Sequence, residues 1–242
     1  MLSRLFRKRQ PQAGFEAPRP DLPVEAVGDI HGRADLLDSL PPVADGAVRV
    51  LLGDYVDRGP QSREVLERVH ARSAAGDWVC LCGNHEEMFV NFLRDPVTNR
   101  SWLGFGGLQT LASFGIGGIT ETSSEAVLRE AAEAVPAKLS FDLFAWVETL
   151  PVLWSSGTLT AVHAGLDPLL PLEAQDRRAM VWGHPDFGTL PRPDGRWIVH
   201  GHTIVNAPRA RDGVISIDTG AYATGRLTLA RVSPEGEVSF TE

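Results

Sequence analysis

No apolar run in the 242-residue chain approaches the length of a membrane span, which argues against stable membrane insertion. Cysteine is scarce: Cys80 and Cys82 are the two present. They alternate within an apolar, strand-like run, so both face one side, and their spacing is not that of a Cys-x-x-Cys redox or zinc motif. They read as buried small apolar residues, and nothing calls for an oxidising compartment. Positive charge is in deficit, with 23 Lys and Arg against 31 Asp and Glu and a net charge of -8. A general nucleic-acid binder would normally be basic, so no nucleic-acid partner is expected. A small phosphorylated molecule held locally by arginine is not opposed by that balance. There is no internal repeat of fixed period and no low-complexity tract. The first twenty residues lack the apolar centre of a secretory signal. There Arg4, Arg7, Lys8, Arg9 and Arg19 face only Glu16, while Pro11, Pro18 and Pro20 interrupt any helix. A flexible basic tail is expected over 1–22, on a cytoplasmic protein.

The whole chain is 43% hydrophobic, and the remainder, 23–242, is long enough for one large domain with a sizeable core. Apolar strand patterns end repeatedly in glycine and ligand-type side chains. Val24–Gly28 ends at Asp29-Ile30-His31-Gly32, and Val48–Leu52 ends at Gly53-Asp54-Tyr55-Val56-Asp57-Arg58-Gly59. Trp78–Leu81 ends at Gly83-Asn84-His85-Glu86, Leu159–Val162 at His163-Ala164-Gly165, and Trp197–Val199 at His200-Gly201-His202-Thr203. Helical periodicity over 62–71 and about 87–93 separates the first strands, so the class expected is α/β. The stretch 95–122 breaks the rhythm with six glycines among Trp102, Phe105 and Phe114. With helices over 125–134 and 141–149 it reads as a cap-like insertion, about 95–150.

Asp29, His31, Asp54, Asn84, His163 and His202 all sit just past a strand end, where α/β sheets gather ligands. Asp29 and His31 lie two apart, so in extended chain they share a side. Oxygen and nitrogen donors in this number, without a thiolate, are too many for one tetrahedral zinc. They suit two borderline divalent cations such as manganese, iron or zinc. Such a pair needs one bridging carboxylate, and Asp54, central in the order, is the natural choice.

The five motifs, GDIHG, GDYVDRG, GNHE, HAG and HGHT, resemble those of the calcineurin-like metallophosphoesterases, and more narrowly the bacterial branch of the phosphoprotein phosphatases. The resemblance spans Val24 to about Gly220. It implies a four-layer α/β/β/α sandwich with two mixed β-sheets. It implies that Asp29 and His31 hold a first metal, that Asp54 bridges, and that Asn84, His163 and His202 hold a second, manganese foremost, with iron or zinc as alternatives. It further implies that His85 protonates the leaving oxygen, that Asp57 orients and charges His85, and that Arg58 grips the phosphate beside Asn84. Two such cations about 3.5–4 Å apart generate a nucleophile from water for in-line attack, so no phosphoenzyme is needed.

One departure stands out. The family's second phosphate arginine is expected between HAG and HGHT, where this chain reads Met180-Val181-Trp182-Gly183-His184-Pro185. His184 stands in for it as a substrate-binding residue, or Arg177, Arg178 or Arg33 reaches in. The function expected first is a serine/threonine protein phosphatase, with phosphotyrosine as a further substrate if the cap leaves a deep site. The alternative is a dinucleoside polyphosphate hydrolase, such as the symmetrical diadenosine tetraphosphatases, with Trp102, Phe105 and Phe114 stacking a base. A non-catalytic binding module is disfavoured, because the metal positions, Asp57, His85 and Arg58 are all intact.

Overall fold

The computed structural model describes residues 15–242. Its strands, in chain order, are β1 (Val24–Val27), β2 (Val48–Leu51), β3 (Trp78–Cys80), β4 (Leu153–Ser156), β5 (Leu159–Val162), β6 (Trp197–His200), β7 (Arg209–Arg211), β8 (Val214–Ser216), β9 (Leu229–Val232) and β10 (Val238–Thr241). The helices are α1 (Ala34–Asp38), α2 (Ser62–Ala74), α3 (Asn84–Arg94), α4 (Gly107–Ser113), α5 (Glu125–Ala134), α6 (Phe141–Glu148), α7 (Arg177–Trp182) and α8 (Ala221–Thr224). A 3-10 helix at Arg100–Phe105 leads into α4.

Two mixed sheets result. One has the order β10-β9-β1-β2-β3 and the other β4-β5-β6-β8-β7. In the first, β1, β2 and β3 run parallel, and β9 pairs antiparallel with both β1 and β10. In the second, β5, β6 and β8 run parallel between antiparallel β4 and β7. The period-2 alternation of each strand decides which layer each side chain joins. Val24, Ala26, Val50 and Leu52 face Leu159, Ala161, Val199 and Ile215 across the space between the sheets. Val27, Leu51 and Cys80 point the other way, into a core with Val65, Leu66 and Phe89 from α2 and α3. On the far face of the second sheet, Val162 and Ile198 pack with Met180 of α7. This is the expected α/β/β/α order, with a thin fourth layer.

Three expectations need revision. Residues 1–14 of the basic tail lie outside the described residues, but Phe15–Leu22 are docked. Phe15 meets Trp197 edge-on at 6.0 Å, Glu16 O accepts from Trp197 Nε1 at 2.7 Å, and Arg19 N donates to Thr158 Oγ1 at 2.8 Å. An apolar ring and backbone partners on the second sheet fix what composition alone marked as loose. The insertion over 95–150 is mostly core rather than lid: Leu111, Phe114, Leu128, Val135, Leu143 and Val147 are all buried against α2 and α3. Helix α3 starts at Asn84 rather than about Glu87, because Glu86 closes a capping box on Gly83.

Candidate active site

The candidate side chains converge beyond the carboxyl ends of β1, β2, β3, β5 and β6. The backbone is bent hard to bring them there. Among the described residues, six that are not glycine have positive φ: His31, Asp54, Asp57, Arg58, His202 and Asp212. All but Asp212 are candidate site residues. Left-handed conformations cost a residue with a Cβ about 1–3 kcal/mol each, and they persist only where surrounding structure over-determines them. Here the determinant is visible. Asp54 O accepts from Ile30 N and His31 N, at 3.1 and 2.8 Å. The buried Glu86 carboxylate accepts from Asp54 N, Tyr55 N, Val56 N and Gly83 N at 2.7–3.3 Å. Burial nonetheless pushes Glu86 up to about 7, against the pull of those donors. A Cβ on Gly53 would sit 2.5 Å from Gly83 N, so these two loops are packed backbone to backbone.

The imidazole orientations follow from their carbonyl partners. His31 Nδ1 donates to Val56 O at 2.8 Å, and His163 Nδ1 donates to Leu52 O at 3.0 Å. Each Nε2 is therefore left as a lone pair. His31 Nε2 lies 3.4 Å from Asp54 Oδ2. His163 Nε2 lies 3.3 Å from Asp54 Oδ1 and 3.0 Å from Asn84 Oδ1. Acceptors thus face acceptors with no proton to share, which only a cation or added protons satisfies. His202 Nδ1 stands 2.9 Å from the same Asn84 Oδ1. Donor atoms about 2.1 Å from one cation at right angles are separated by about 3 Å, so the spacing fits divalent metal. Two groups with metal-holding geometry stand out, His31–Asp54–His85 and Asp54–His163–His202, and Asp54 belongs to both.

Asp29 takes a more peripheral place. Its oxygens accept from His202 N at 3.0 and 3.1 Å. Burial, then the charges of Asp218 and Asp54, raise its pKa well above the usual carboxylate range. Asp54 is raised likewise by burial and by Glu86. Burial lowers His31 and His163 below the ordinary imidazole range. The cluster is a set of crowded acceptors, electrically suited to cations. Asp218 was not assigned a role from the sequence, though it too follows an apolar strand.

His85, Asp57 and Arg58 form a chain. His85 Nδ1 lies 2.6 Å from Asp57 Oδ2, and Arg58 Nη2 lies 3.1 Å from His85 Nε2. Arginine can only donate, so Nε2 accepts and the ring proton rests on Nδ1, donating to Asp57. Burial, with the charge of Arg58 added, pushes His85 down to about 3, in keeping with a neutral ring. Asp57 is pushed up to about 7 by burial, opposed by hydrogen bonds from Thr110 and Trp102. These two lie in the insertion: Thr110 Oγ1 donates to Asp57 Oδ1 at 2.6 Å, and Trp102 Nε1 donates to Asp57 Oδ2 at 2.8 Å. With three donors on its oxygens, we assign the charge of the pair to Asp57.

Several sequence-based assignments change here. Trp102 and Phe114 are each 1% exposed, so neither stacks a base; Phe105, at 56%, is the open aromatic of the three. His184 finds its partners outside the cluster. Helix α7 ends at Gly183 (φ 90), which turns His184 to within 3.7 Å of Asp167 and to accept from Asp186 N. Arg177 donates to Glu87 at 2.7 Å, Arg33 to Asp35 and Ala221 O, and Arg178 is exposed on α7. Arg58 is the guanidinium bonded into the centre, its Cζ 4.7 Å from the ring of Tyr222. No pattern around Tyr222 singled it out. His200 supports its loop, hydrogen-bonded to Gly201 O and Ser216 Oγ.

A two-sheet α/β sandwich with acceptor-rich loops at its strand ends defines a class, and the comparisons agree. The profile of the calcineurin-like phosphoesterase family matches residues 22–206, and the chain belongs to that family. More particularly, it is similar to the asymmetrical bis(5'-nucleosyl)-tetraphosphatase PrpE of Bacillus velezensis, at 28% identity over 90% of this chain and 92% of that protein. Among solved structures it resembles a chain provisionally described as a diadenosine tetraphosphatase, with a TM-score of 0.61, 21% identity, and coverage of 93% and 95%. It also resembles the cold-active protein-tyrosine phosphatase of a psychrophilic Shewanella, with a TM-score of 0.55, 18% identity, and coverage of 91% and 80%. One fold thus carries both activities, and it does not choose between them. The curated relatives overturn the protein-phosphatase expectation: those of Bacillus velezensis, Bacillus subtilis and Anoxybacillus flavithermus bear the tetraphosphatase name. They support the dinucleotide alternative, and the kind they name is asymmetrical, not symmetrical. Among the described residues, no helix is long and apolar enough to cross a membrane.

Proposed function

We propose that this chain is a divalent-metal-dependent hydrolase of bis(5'-nucleosyl) polyphosphates that cleaves them asymmetrically. Diadenosine tetraphosphate and one water would give ATP and AMP. The likeness to the tetraphosphatases runs over nearly the whole chain, which supports the substrate class. The observation that carries the hydrolytic reading is the convergence of Asp54 Oδ1, Asn84 Oδ1 and His163 Nε2, three acceptors within 3.0–3.3 Å contacts, beside the Arg58 guanidinium.

In this reading Asp29 and His31 would hold one cation, Asn84, His163 and His202 the other, and Asp54 both. Oxygen and imidazole donors favour manganese, with iron or zinc as alternatives. When bound, the cations supply Lewis acidity toward phosphoryl oxygens and lower the pKa of water.

The remaining work falls to the chain. Arg58 leaves His85 Nε2 and takes two phosphoryl oxygens with its forked donors. That frees Nε2, now beside an anion, to take up a proton, while Asp57 behind Nδ1 stabilises the imidazolium that forms. His85 then hands the proton to the leaving oxygen. A polyphosphate leaving group is less basic than a serine alkoxide, so less of the rate depends on this transfer than the usual hundred- to ten-thousandfold for general acids.

The test is manganese-loaded enzyme offered diadenosine tetraphosphate, a phosphothreonine peptide and an aryl phosphate. Equal amounts of ATP and AMP from the dinucleotide, faster than either other release, is the expected result. Rapid peptide turnover with an idle dinucleotide would overturn the assignment.

A further inference from the structure

Beside Arg58 opens a cleft of about 580 Å³, lined among others by Leu103, Phe105, Leu108, Gln109, Glu121 and Tyr222. That volume lies within the range of small-molecule sites. Resting on the nucleotide reading above, we propose that this cleft seats one nucleoside of the substrate, with its base stacked on Phe105, and that the phosphorus attacked is the one bonded to that nucleoside.

Phe105 is the reason to look here. It is 56% exposed, while its neighbours Trp102 and Leu103 are each at 1%. A large aromatic ring left open in a concave site is a binding surface more than a packing element. Its backbone is also fixed rather than free. Gly104 and Gly106 flank it, and Gly106 has φ 115 with its carbonyl accepting from Arg58 N at 3.4 Å. A Cβ on Gly106 would run into Arg58 N, so only glycine lets the aromatic tip lie directly on the residue that would grip phosphate. Base–aromatic stacking of this kind tolerates any base, because every base has a π-face.

The other wall and the rim complete the site. Tyr222 lies under the Arg58 guanidinium at 4.7 Å and edge-on to His31 at 5.5 Å, joining the cleft to the metal cluster. Gln109 offers an amide donor and acceptor, and Glu121 an acceptor, to a base edge in the cleft. The Glu121 charge repels phosphate, which sets the direction: base toward Glu121, phosphate toward Arg58.

Direction and adjacency set the register. Arg58 is at once a wall of the cleft and a partner of His85, so the cleft opens directly onto the centre. The phosphate beside the nucleoside is the one that reacts. Water oxygen adds to that phosphorus, the bond to the bridging oxygen breaks, and that oxygen leaves on the nucleoside triphosphate. The leaving oxygen takes the proton that His85 holds, the water oxygen stays on the monophosphate, and the water's two protons pass to solvent, from which His85 is reprotonated. Unequal products follow from a seat one phosphate from the centre. A seat two phosphates away would give equal ones.

The experiment measures binding of AMP and of inorganic phosphate to the manganese-loaded full chain, for the wild type, Phe105→Ala and Phe105→Trp. Loss of one stacked base costs roughly ten- to a hundredfold in affinity. Phe105→Ala is expected to weaken AMP by that factor, with phosphate binding as the check that the centre is intact, and Phe105→Trp is expected to hold AMP as the wild type does. AMP affinity equal across all three proteins would overturn the seat. In parallel, wild-type products are identified: ATP with AMP supports the register, and ADP alone overturns it. A wild type idle on the dinucleotide would instead sink the nucleotide reading itself, whereas an active wild type with unaltered AMP binding in Phe105→Ala sinks only this inference. Glu121→Gln provides an independent arm. It is expected to shift the preference between adenine and guanine monophosphates by about threefold or more, since the acceptor meets different base edges; an unchanged preference would remove Glu121 from the site.

Discussion

The motif loops at the ends of β1, β2 and β3 and the glycine-rich stretch from Trp102 to Thr110 meet at one residue pair, Asp57 and Arg58, yet they are built differently. The loops are strained and buried, with His31, Asp54, Asp57 and Arg58 at positive φ and Glu86 tying four backbone amides together. The stretch from the insertion is bound to them by the side chains of Trp102 and Thr110 on Asp57 and by one backbone bond, Arg58 N to Gly106 O, and exposes Phe105. In our account the loops supply the chemistry, common to a family with several substrates. The insertion supplies the choice of substrate. One segment does both jobs, holding Asp57 from its two ends and exposing Phe105 between them, so substrate contact and the orientation of Asp57 share a scaffold.

The strongest way to break this division is in the loops. Asp54→Asn removes the carboxylate common to both metal-holding groups. It is expected to lower kcat/KM for the dinucleotide by at least about a thousandfold, some 4 kcal/mol, with bound manganese falling in elemental analysis. Retained activity and metal would deny Asp54 its place. Next comes the seam. Thr110→Val keeps shape but leaves Asp57 Oδ1 buried without its 2.6 Å donor. A roughly ten- to hundredfold fall in kcat is expected, with a smaller change in KM and rescue to within about threefold of wild type by Thr110→Ser. If the serine variant is as poor as valine, the hydroxyl is not what matters.

Metal itself should tighten the loops. Buried Asp29 is repelled by Asp218 and Asp54, and buried Asp54 by Glu86 and Asp57, and cations that bind only the folded chain offset this. At a hundred times its Kd, manganese is expected to add about 2.7 kcal/mol, seen as a rise of roughly 5–10 °C in Tm. An unmoved Tm would mean that no cation occupies the cluster. The smallest effect expected is at His184, turned toward Asp167. His184→Ala should change KM by no more than about twofold, roughly 0.5 kcal/mol, as for surface substitutions. A tenfold rise would return His184 to the phosphate.

How much of this was legible in the sequence depends on how far each feature depends on neighbours in the chain. Strand alternation placed β1, β2, β5 and β6, and the motif at each strand end located Asp29, His31, Asp54, Asn84, His85, His163 and His202 in one volume. The edge strands β4 and β7 were missed, since Arg209–Arg211 is exposed and carries no apolar alternation. Trp102 and Thr110 were beyond reach because their meaning is a contact with Asp57 some fifty residues earlier in the chain. Glu86 was quoted within its motif but given no task, since its partners are backbone amides of another loop. For His184, linear spacing points to an arginine's position, while the structure after Gly183 pairs it with Asp167 and Asp186 N. The substrate was misjudged for a related reason: the motifs encode the reaction, and the insertion's glycines and aromatics do not announce which ring faces out.

The most direct test of the account is hydrolysis of diadenosine tetraphosphate in water enriched in oxygen-18. If the nucleoside beside Arg58 presents its own phosphorus for attack, the label appears in AMP and not in ATP. Label in ATP, or ADP as the product, would contradict it.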